Sequence, residues 1–401
     1  MKSVSAADAR LVLARVHGLS GTEQRRGKTG VLSVFQKHQC VQSDPIDVAG
    51  RNADLALQSR VIDYHQQHLT DLLYGERQLF EYFCKMLSVM PVELYPIFKH
   101  KMTSFAERDQ VRSFFRKYRK ETRIVLRAME KGPVSSREIL GMRSLKWGWG
   151  HNANLANIIL TRLWVSGRAM ISHRDGAVKY YALPSEVIPE KLLNAEPPEL
   201  GEDRLEMASI IMNASRLVMP GGGPEQWYEV GKTADARRLL IELERRGRSC
   251  AIELEGSREK LYVPIEDIEE WDGPKPSEND YVRFLAPLDS LLWNRRIFEL
   301  VYGRAYAWEV YKKPQDRKYG YYCLPLLFDG EYVGLLDPYY QKRDKVLEIR
   351  NFHIFDNAVV KESFLDVLNR ELRRLCEYLG ATKTDVKRCP EWATQALKVI
   401  A

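Results

Sequence analysis

Apolar residues recur at helical spacing along much of the chain, and two of these runs end in the same way. Leu155, Ile158, Ile159 and Leu163 form one stripe; Leu239, Leu240 and Leu243 form another. Gly-Arg follows each, at Gly167-Arg168 and Gly247-Arg248, where the glycine suits a left-handed helix end. Two short β-type runs then flank Asp175-Gly176 in one copy and Glu255-Gly256 in the other, and Asp-Gly is a hairpin signal. The copies close on Pro184 and Pro264, and 167–184 aligns with 247–264 without gaps. Ahead of the first copy the pattern predicts a helix over 122–131, the turn Gly132-Pro133 and a short helix over 135–140.

Helix, turn, helix, helix, hairpin is the order of a winged helix. Residues 1–60 read as a third, more divergent unit, with helices over 6–16 and 31–39 and a Gly- and charge-rich loop over 18–28. After Pro274-Lys275-Pro276, which reads as a linker, alternation replaces helical spacing. Runs over 319–328, 332–336 and 346–350, with Asp329-Gly330 between the first two, predict a small antiparallel sheet or barrel. An amphipathic helix over 360–379 closes it. The expected class is α+β: three tandem winged helices and a C-terminal β domain. Boundaries are expected at 1–120 (first winged helix with a helical extension), 121–195, 200–273 and 277–401.

Composition narrows the function classes. Hydrophobic content of 45% with 29% charged residues is that of a soluble globular protein. No apolar run approaches the roughly 20 residues that span a bilayer, so no membrane partner is expected. The start of the chain does not resemble a signal peptide, which makes the cytoplasm the expected compartment. Six scattered cysteines show neither Cys-x-x-Cys nor paired His spacing, so neither a metal, a cofactor nor a disulfide framework is expected. The net charge of +7 is compatible with a nucleic-acid partner. Arg112, Arg116, Lys117, Arg119, Lys120 and Arg123 alternate with Phe114, Phe115 and Tyr118, as on a solvated amphipathic helix or one that touches phosphates. No coiled-coil pattern appears, and a monomer is expected.

Candidate chemistry concentrates in Val41-Gln42-Ser43-Asp44-Pro45-Ile46. Residues two apart in extended backbone share a face, so one small site can hold the Gln42 amide and the Asp44 carboxylate. Pro45 supports this by keeping Asp44 out of the helical region. A carboxylate can act as base on water or steady a cation, and the amide can orient that water. An Asp-Pro turn without chemistry is the other reading of the same residues.

In order and spacing the parts resemble a bacterial family of DNA glycosylases, the YcaQ/AlkZ type, over nearly the whole chain. The resemblance is carried by 41–46 with Arg51 and Ser59-Arg60, by 73–82, by Met90-Pro91 and Tyr95-Pro96, and by 163–184, 284–296 and 317–325. It implies three winged helices with a β-rich C-terminal domain, and action on bulky alkylated purines and interstrand crosslinks. It also implies Gln42 and Asp44 as the catalytic pair of a Gln-x-Asp motif. Two departures stand out: Ser43 replaces an apolar residue, and Cys84-Lys85-Met86 replaces a histidine-containing stretch.

Such a substrate suits one carboxylate. Alkylation at purine N7 makes the base a cation that leaves as a neutral molecule, so the leaving group needs little protonation. Asp44 is then the general base and oxocarbenium stabiliser, and no Schiff-base lysine is required. The partner implied is double-stranded DNA carrying alkylated bases. Candidate DNA-facing residues are Arg51, Asn52, Lys146, Trp147, Trp149, His151, Asn152, the wing residues His173, Arg174, Lys179, Arg258 and Lys260, and Arg295 with Arg296. A winged-helix DNA-binding regulator without catalysis remains the alternative.

Overall fold

The structure is a computed structural model and describes residues 2–21, 24–147, 151–222, 226–273, 275–356, 358, 361–389 and 391–397. It is a mixed α+β fold. By contacts the chain groups into two compact units: one holds 1–69, 84–88 and 208–401, the other 70–83 and 89–207. The expected segment 121–195 falls in the second. The expected segments 200–273 and 277–401 fall in the first, apart from 200–207.

The repeat read from the sequence is present in three dimensions, one copy in each unit. Helices Leu155–Val165 and Thr233–Arg245 both end at a left-handed glycine, Gly167 at φ +69° and Gly247 at φ +68°. Just past each helix, the Arg168 N–H donates to the Leu163 carbonyl (2.8 Å) and the Arg248 N–H to the Leu243 carbonyl (2.9 Å). Hairpins follow, Met170–Asp175 with Val178–Ala182 and Ser249–Leu254 with Lys260–Pro264. The second strand of each hairpin also exchanges a reciprocal pair of backbone bonds with a residue ahead of the helix. Val134 pairs with Tyr181 at 2.9 Å both ways, and Val218 with Tyr262 at 2.9 and 2.8 Å.

Differences from expectation have local causes. The basic stretch forms two helices, Asp109–Lys117 and Arg119–Met129, separated at Tyr118. Residues 136–140 form turns and not a helix. The Ser135 N–H and hydroxyl do bind the Glu138 carboxylate, a helix-start arrangement, but five residues before Gly141 are too few to propagate a helix.

In the first unit, strand Lys2–Val4 pairs parallel with Ser249–Leu254. Helix Ala6–Val16 places Val12, Leu13 and Val16 in a core with Ile252, Leu261, Phe298, Tyr332 and Leu335. One hydrophobic core thus serves the N-terminal helix, the second hairpin and the C-terminal sheet. That sheet has the order Val282–Phe284, Leu324–Phe328, Glu331–Gln341, Val346–Ile354 and Lys383–Asp385. Its first four strands are antiparallel and the last is parallel. Bulges at Leu326/Leu327 and Asp337/Pro338 bend it, and it is an open sheet, not a closed barrel. Residues 319–323, expected as strand, stay outside it because buried carboxylates claim their amides. Glu309 accepts from Tyr319 and Asp337 from Tyr321 and Tyr322. Helix Phe364–Leu379 packs on the sheet, but it is followed by Lys383–Asp385 and helix Glu391–Ala396, so it does not close the domain.

Candidate functional site

Helix Gly27–His38 ends at Gln39, a non-glycine residue at φ 61°, and the chain turns into strand Val41–Gln42. The Ser43 N–H extends the pairing by donating to the Leu87 carbonyl (2.8 Å). At Asp44 the pairing stops, because its Oδ1 accepts the Ile46 N–H (2.9 Å) in a tight side-chain turn over Pro45. Asp47 Oδ1 accepts the Gly50 N–H (3.2 Å) in a second turn. The sequence therefore folds into strand, turn, turn and then helix Asn52–Gln58.

The loop between Asp44 and that helix is held from the C-terminal sheet. The Tyr340 N–H donates to the Val48 carbonyl (2.8 Å), Lys342 pairs with Asp47 (2.6 Å), and the Tyr322 hydroxyl lies 3.4 Å from the Gly50 carbonyl. Gly50 sits at φ +106°, and a Cβ there would come within 2.6 Å of the Tyr378 hydroxyl. Both conformation and space require glycine at this position.

Three segments of the first unit meet at Gln42. Asn52, 1% exposed, donates from Nδ2 to the Gln42 carbonyl (2.8 Å) and accepts at Oδ1 from the Leu288 N–H (2.8 Å). Lys85 donates from Nζ to Gln42 Oε1 (3.0 Å) and lies 5.4 Å from the centre of the Trp293 ring. Beneath them Arg60 binds Asp289 through two bonds of 2.7 and 2.9 Å. Burial would raise the Asp289 carboxyl, but Arg60 holds it below the usual carboxylate range. His17 and His38 stack nearby at 5.4 Å. Burial, reinforced by Arg60, lowers His17 to about 3, and burial takes His38 well below its usual value, so both are neutral.

Asp44 contrasts with these buried, paired charges. It is half-buried, and desolvation raises its carboxyl above the ordinary value, which the Ile46 N–H only partly offsets. Among the described residues no cation is ion-paired to it. A carboxylate with a raised pKa and no counter-ion is a stronger base than one in a salt bridge.

A family model described as DNA glycosylase AlkZ-like matches residues 36–378. The chain belongs to the AlkZ-like DNA glycosylase family. Among solved structures, Streptomyces sahachiroi DNA glycosylase AlkZ is similar over 97% of this chain and 100% of that one, with a TM-score of 0.61 at 14% identity. That likeness is one of fold. In this AlkZ-like glycosylase the matched span opens just ahead of Gln42 and ends at Tyr378, the residue packed against Gly50.

The other sequence-derived candidates differ in their surroundings. Arg51 is half-buried and paired with the buried Asp54 (2.8 Å), and Asn52, expected on the surface, is interior and braces Gln42. Lys146 and Asn152 face each other across strands Ser144–Trp147 and His151–Asn154, both exposed. Trp147 pairs with His151 in the same backbone register. Trp149 and the side chains of Trp147 and His151 lie outside the described residues.

The first hairpin turns its charges inward. Arg174 is bound by the buried Glu81, which also accepts from the Tyr74 hydroxyl (2.6 Å). Lys179 lies 4.8 Å from the centre of the Trp164 ring, and burial, then Arg174, lowers its pKa. His173 stacks on Tyr180. On the second hairpin Arg258 is exposed, while Lys260 pairs with Glu244 (2.9 Å) and Arg296 with Glu259 (2.5 Å). Arg295 stands over the Tyr306 ring at 4.4 Å. The structure thus brings together Gln42, Asp44, Arg51 and Asn52. The sequence reading missed the braces Lys85, Arg60 and Asp289, although Cys84-Lys85-Met86 had stood out as a departure.

The second unit also carries an open groove in which Lys117, Lys146 and Arg162 stand beside Phe114 and Tyr118, with Arg162 4.3 Å from the centre of the Phe114 ring. Among the described residues no His, Cys, Asp or Glu cluster of three or more could hold a metal, and no helix is long and apolar enough to cross a membrane.

Proposed function

We propose that this glycosylase hydrolyses the N-glycosidic bond of N7-alkylated purines in double-stranded DNA, interstrand crosslinks included. Asp44 is the general base and oxocarbenium stabiliser, and Gln42 positions the water. The observation that carries this reading is the Asp44 carboxyl, raised by desolvation and joined to no cation among the described residues. Water adds to C1′ as its proton passes to Asp44, and the C1′–N bond breaks with its electrons going to the cationic purine. The base leaves neutral, so no second carboxyl is needed as acid, in contrast to the usual glycoside hydrolases. The enzyme is then monofunctional, without a covalent lysine intermediate.

A crosslinked base is tied to both strands and cannot rotate fully out of the duplex. Asp44 suits such a lesion, being flanked by the exposed Pro45 and Asp47. We read the two helix–hairpin copies as winged helices and the segment around Gln42 as a third. The reciprocal bonds of Val134 with Tyr181 and Val218 with Tyr262 support the first two of these. DNA phosphates are taken by Lys146, Asn152 and Arg258 and by the exposed Arg116, Lys117, Arg119, Lys120 and Arg123. The enzyme acts as a monomer on the nucleoid, without metal or cofactor.

The test is excision from duplexes carrying one N7-methylguanine or one N7–N7 crosslink, with alkali converting abasic sites into countable strand breaks. Asp44→Asn should lose at least about 100-fold in rate, the lower end for removal of a general base. Full activity in that variant would end the reading.

A further inference from the structure

We infer that Lys85 is a positioning residue that decides which end of the Gln42 amide meets the substrate; this rests on the reading of Gln42 and Asp44 as the catalytic pair. A side-chain amide has an acceptor end and a donor end of nearly the same shape, and can turn over at little steric cost. An ammonium can only donate. The Gln42 atom 3.0 Å from Lys85 Nζ must therefore be the oxygen, because the alternative sets two donors against each other.

The rest of the surroundings confirm the direction. Asn52 takes the Gln42 main-chain carbonyl, and the residue is only 6% exposed. Among the described residues no acceptor takes the Gln42 Nε2 protons. Nε2 is also absent from the buried polar atoms that lack a partner, so it is not sealed from solvent and a water can reach it. Lys85 is itself built in: 4% exposed, it has its ammonium near the Trp293 ring, and the Trp293 Nε1–H is bound to the Leu288 carbonyl (3.0 Å). It is not a mobile surface lysine that happens to lie near an amide.

The chemistry gives the orientation its purpose. With Nε2 outward, Gln42 donates to a lone pair of the water while Asp44 accepts one of its hydrogens. One donor and one acceptor leave the other lone pair free to form the C1′–O bond. With the amide turned over, Oε1 and Asp44 would both accept from the water, and nothing would fix its lone pairs. Lys85 thus acts at one remove, through Gln42, and touches neither water nor DNA.

The experiment measures single-turnover release of N7-methylguanine from a duplex, with DNA affinity and Tm taken on the same proteins. Lys85→Met should slow release about 10- to 100-fold, the range for losing a group that orients a functional side chain, with DNA affinity unchanged. Lys85→Arg, still an obligatory donor, should recover most of the rate. In a Gln42→Ala background Lys85→Met should cost nothing further. Wild-type rates in Lys85→Met, or a penalty that adds in full to that of Gln42→Ala, would overturn the inference. Should Lys85→Met not fold, Lys85→Gln supports the same comparison, since a neutral amide no longer dictates the flip. Asp44→Asn separates the two readings. Full activity there removes the catalytic pair itself, whereas loss there with normal rates in Lys85→Met removes only the role of Lys85.

Discussion

Burial strips water from Asp44, and a single backbone N–H is all that answers it. A carboxyl whose folded pKa lies above its unfolded one disfavours folding wherever it must ionise, and has no effect where it is protonated in both states. Asp44→Asn should therefore raise Tm at pH 7. The gain should shrink as pH falls through the raised folded value and vanish below the unfolded value near 3.8. Excision by the wild type should run the other way, rising with pH as Asp44 ionises, with its midpoint above 3.8. Parallel melting and rate profiles check both, and a Tm that falls in Asp44→Asn at pH 7 would contradict the first. Gln42 and Asp44 stood out as candidates in the sequence because they sit two positions apart beside a proline, a short-range pattern. Lys85 and Asp289 did not, since Gln42 and Arg60 meet them across 43 and 229 positions.

The helix–hairpin copies were legible for a related reason. Gly167, Gly176, Gly247 and Gly256 all stand at positive φ, where glycine is needed locally whatever surrounds it. What the hairpins face was not legible. Arg174 and Lys179 look like wing cations in one dimension, but strand Leu79–Phe83 presents Glu81 to Arg174, and Trp164 lies under Lys179. Glu81 is 4% exposed, so Glu81→Gln strands a buried guanidinium and should destabilise the second unit by about 3–5 kcal/mol, seen in urea unfolding. Arg174→Ala should likewise lower stability and leave the salt dependence of DNA binding unchanged, which fluorescence titration at several salt concentrations reads directly. A slope that falls in the folded variant would return Arg174 to the DNA-facing set. Residues 135–140 teach the complementary lesson: Ser135 and Glu138 form the bonds of a helix start, but the stretch is too short to become one.

Taken whole, the chain uses its excess of positive charge unevenly. Many arginines and lysines read as candidate DNA contacts are committed to carboxylates or aromatic rings, while Lys146 and Arg258 are exposed, as are the basic residues of helices Asp109–Lys117 and Arg119–Met129. Lys146→Ala should weaken binding to damaged and undamaged duplex alike and lower the salt slope by about 0.9, one phosphate's worth. An unchanged slope would place Lys146 off the DNA. Boundaries in the sequence marked where one pattern of spacing gave way to another. They carried no trace of the shared core, in which Val12 and Leu13 meet Ile252, Phe298 and Tyr332. The packing of Tyr378 against Gly50 carries a consequence in time. A ribosome makes Gln42 and Asp44 early, yet the loop that follows them is shaped by Tyr322, Tyr340 and Tyr378, which emerge hundreds of residues later. A nascent chain therefore cannot shape the loop beside the proposed pair until Tyr378 has been made, and an mRNA cut short before that codon yields a polypeptide that carries Gln42 and Asp44 without the residues that frame them.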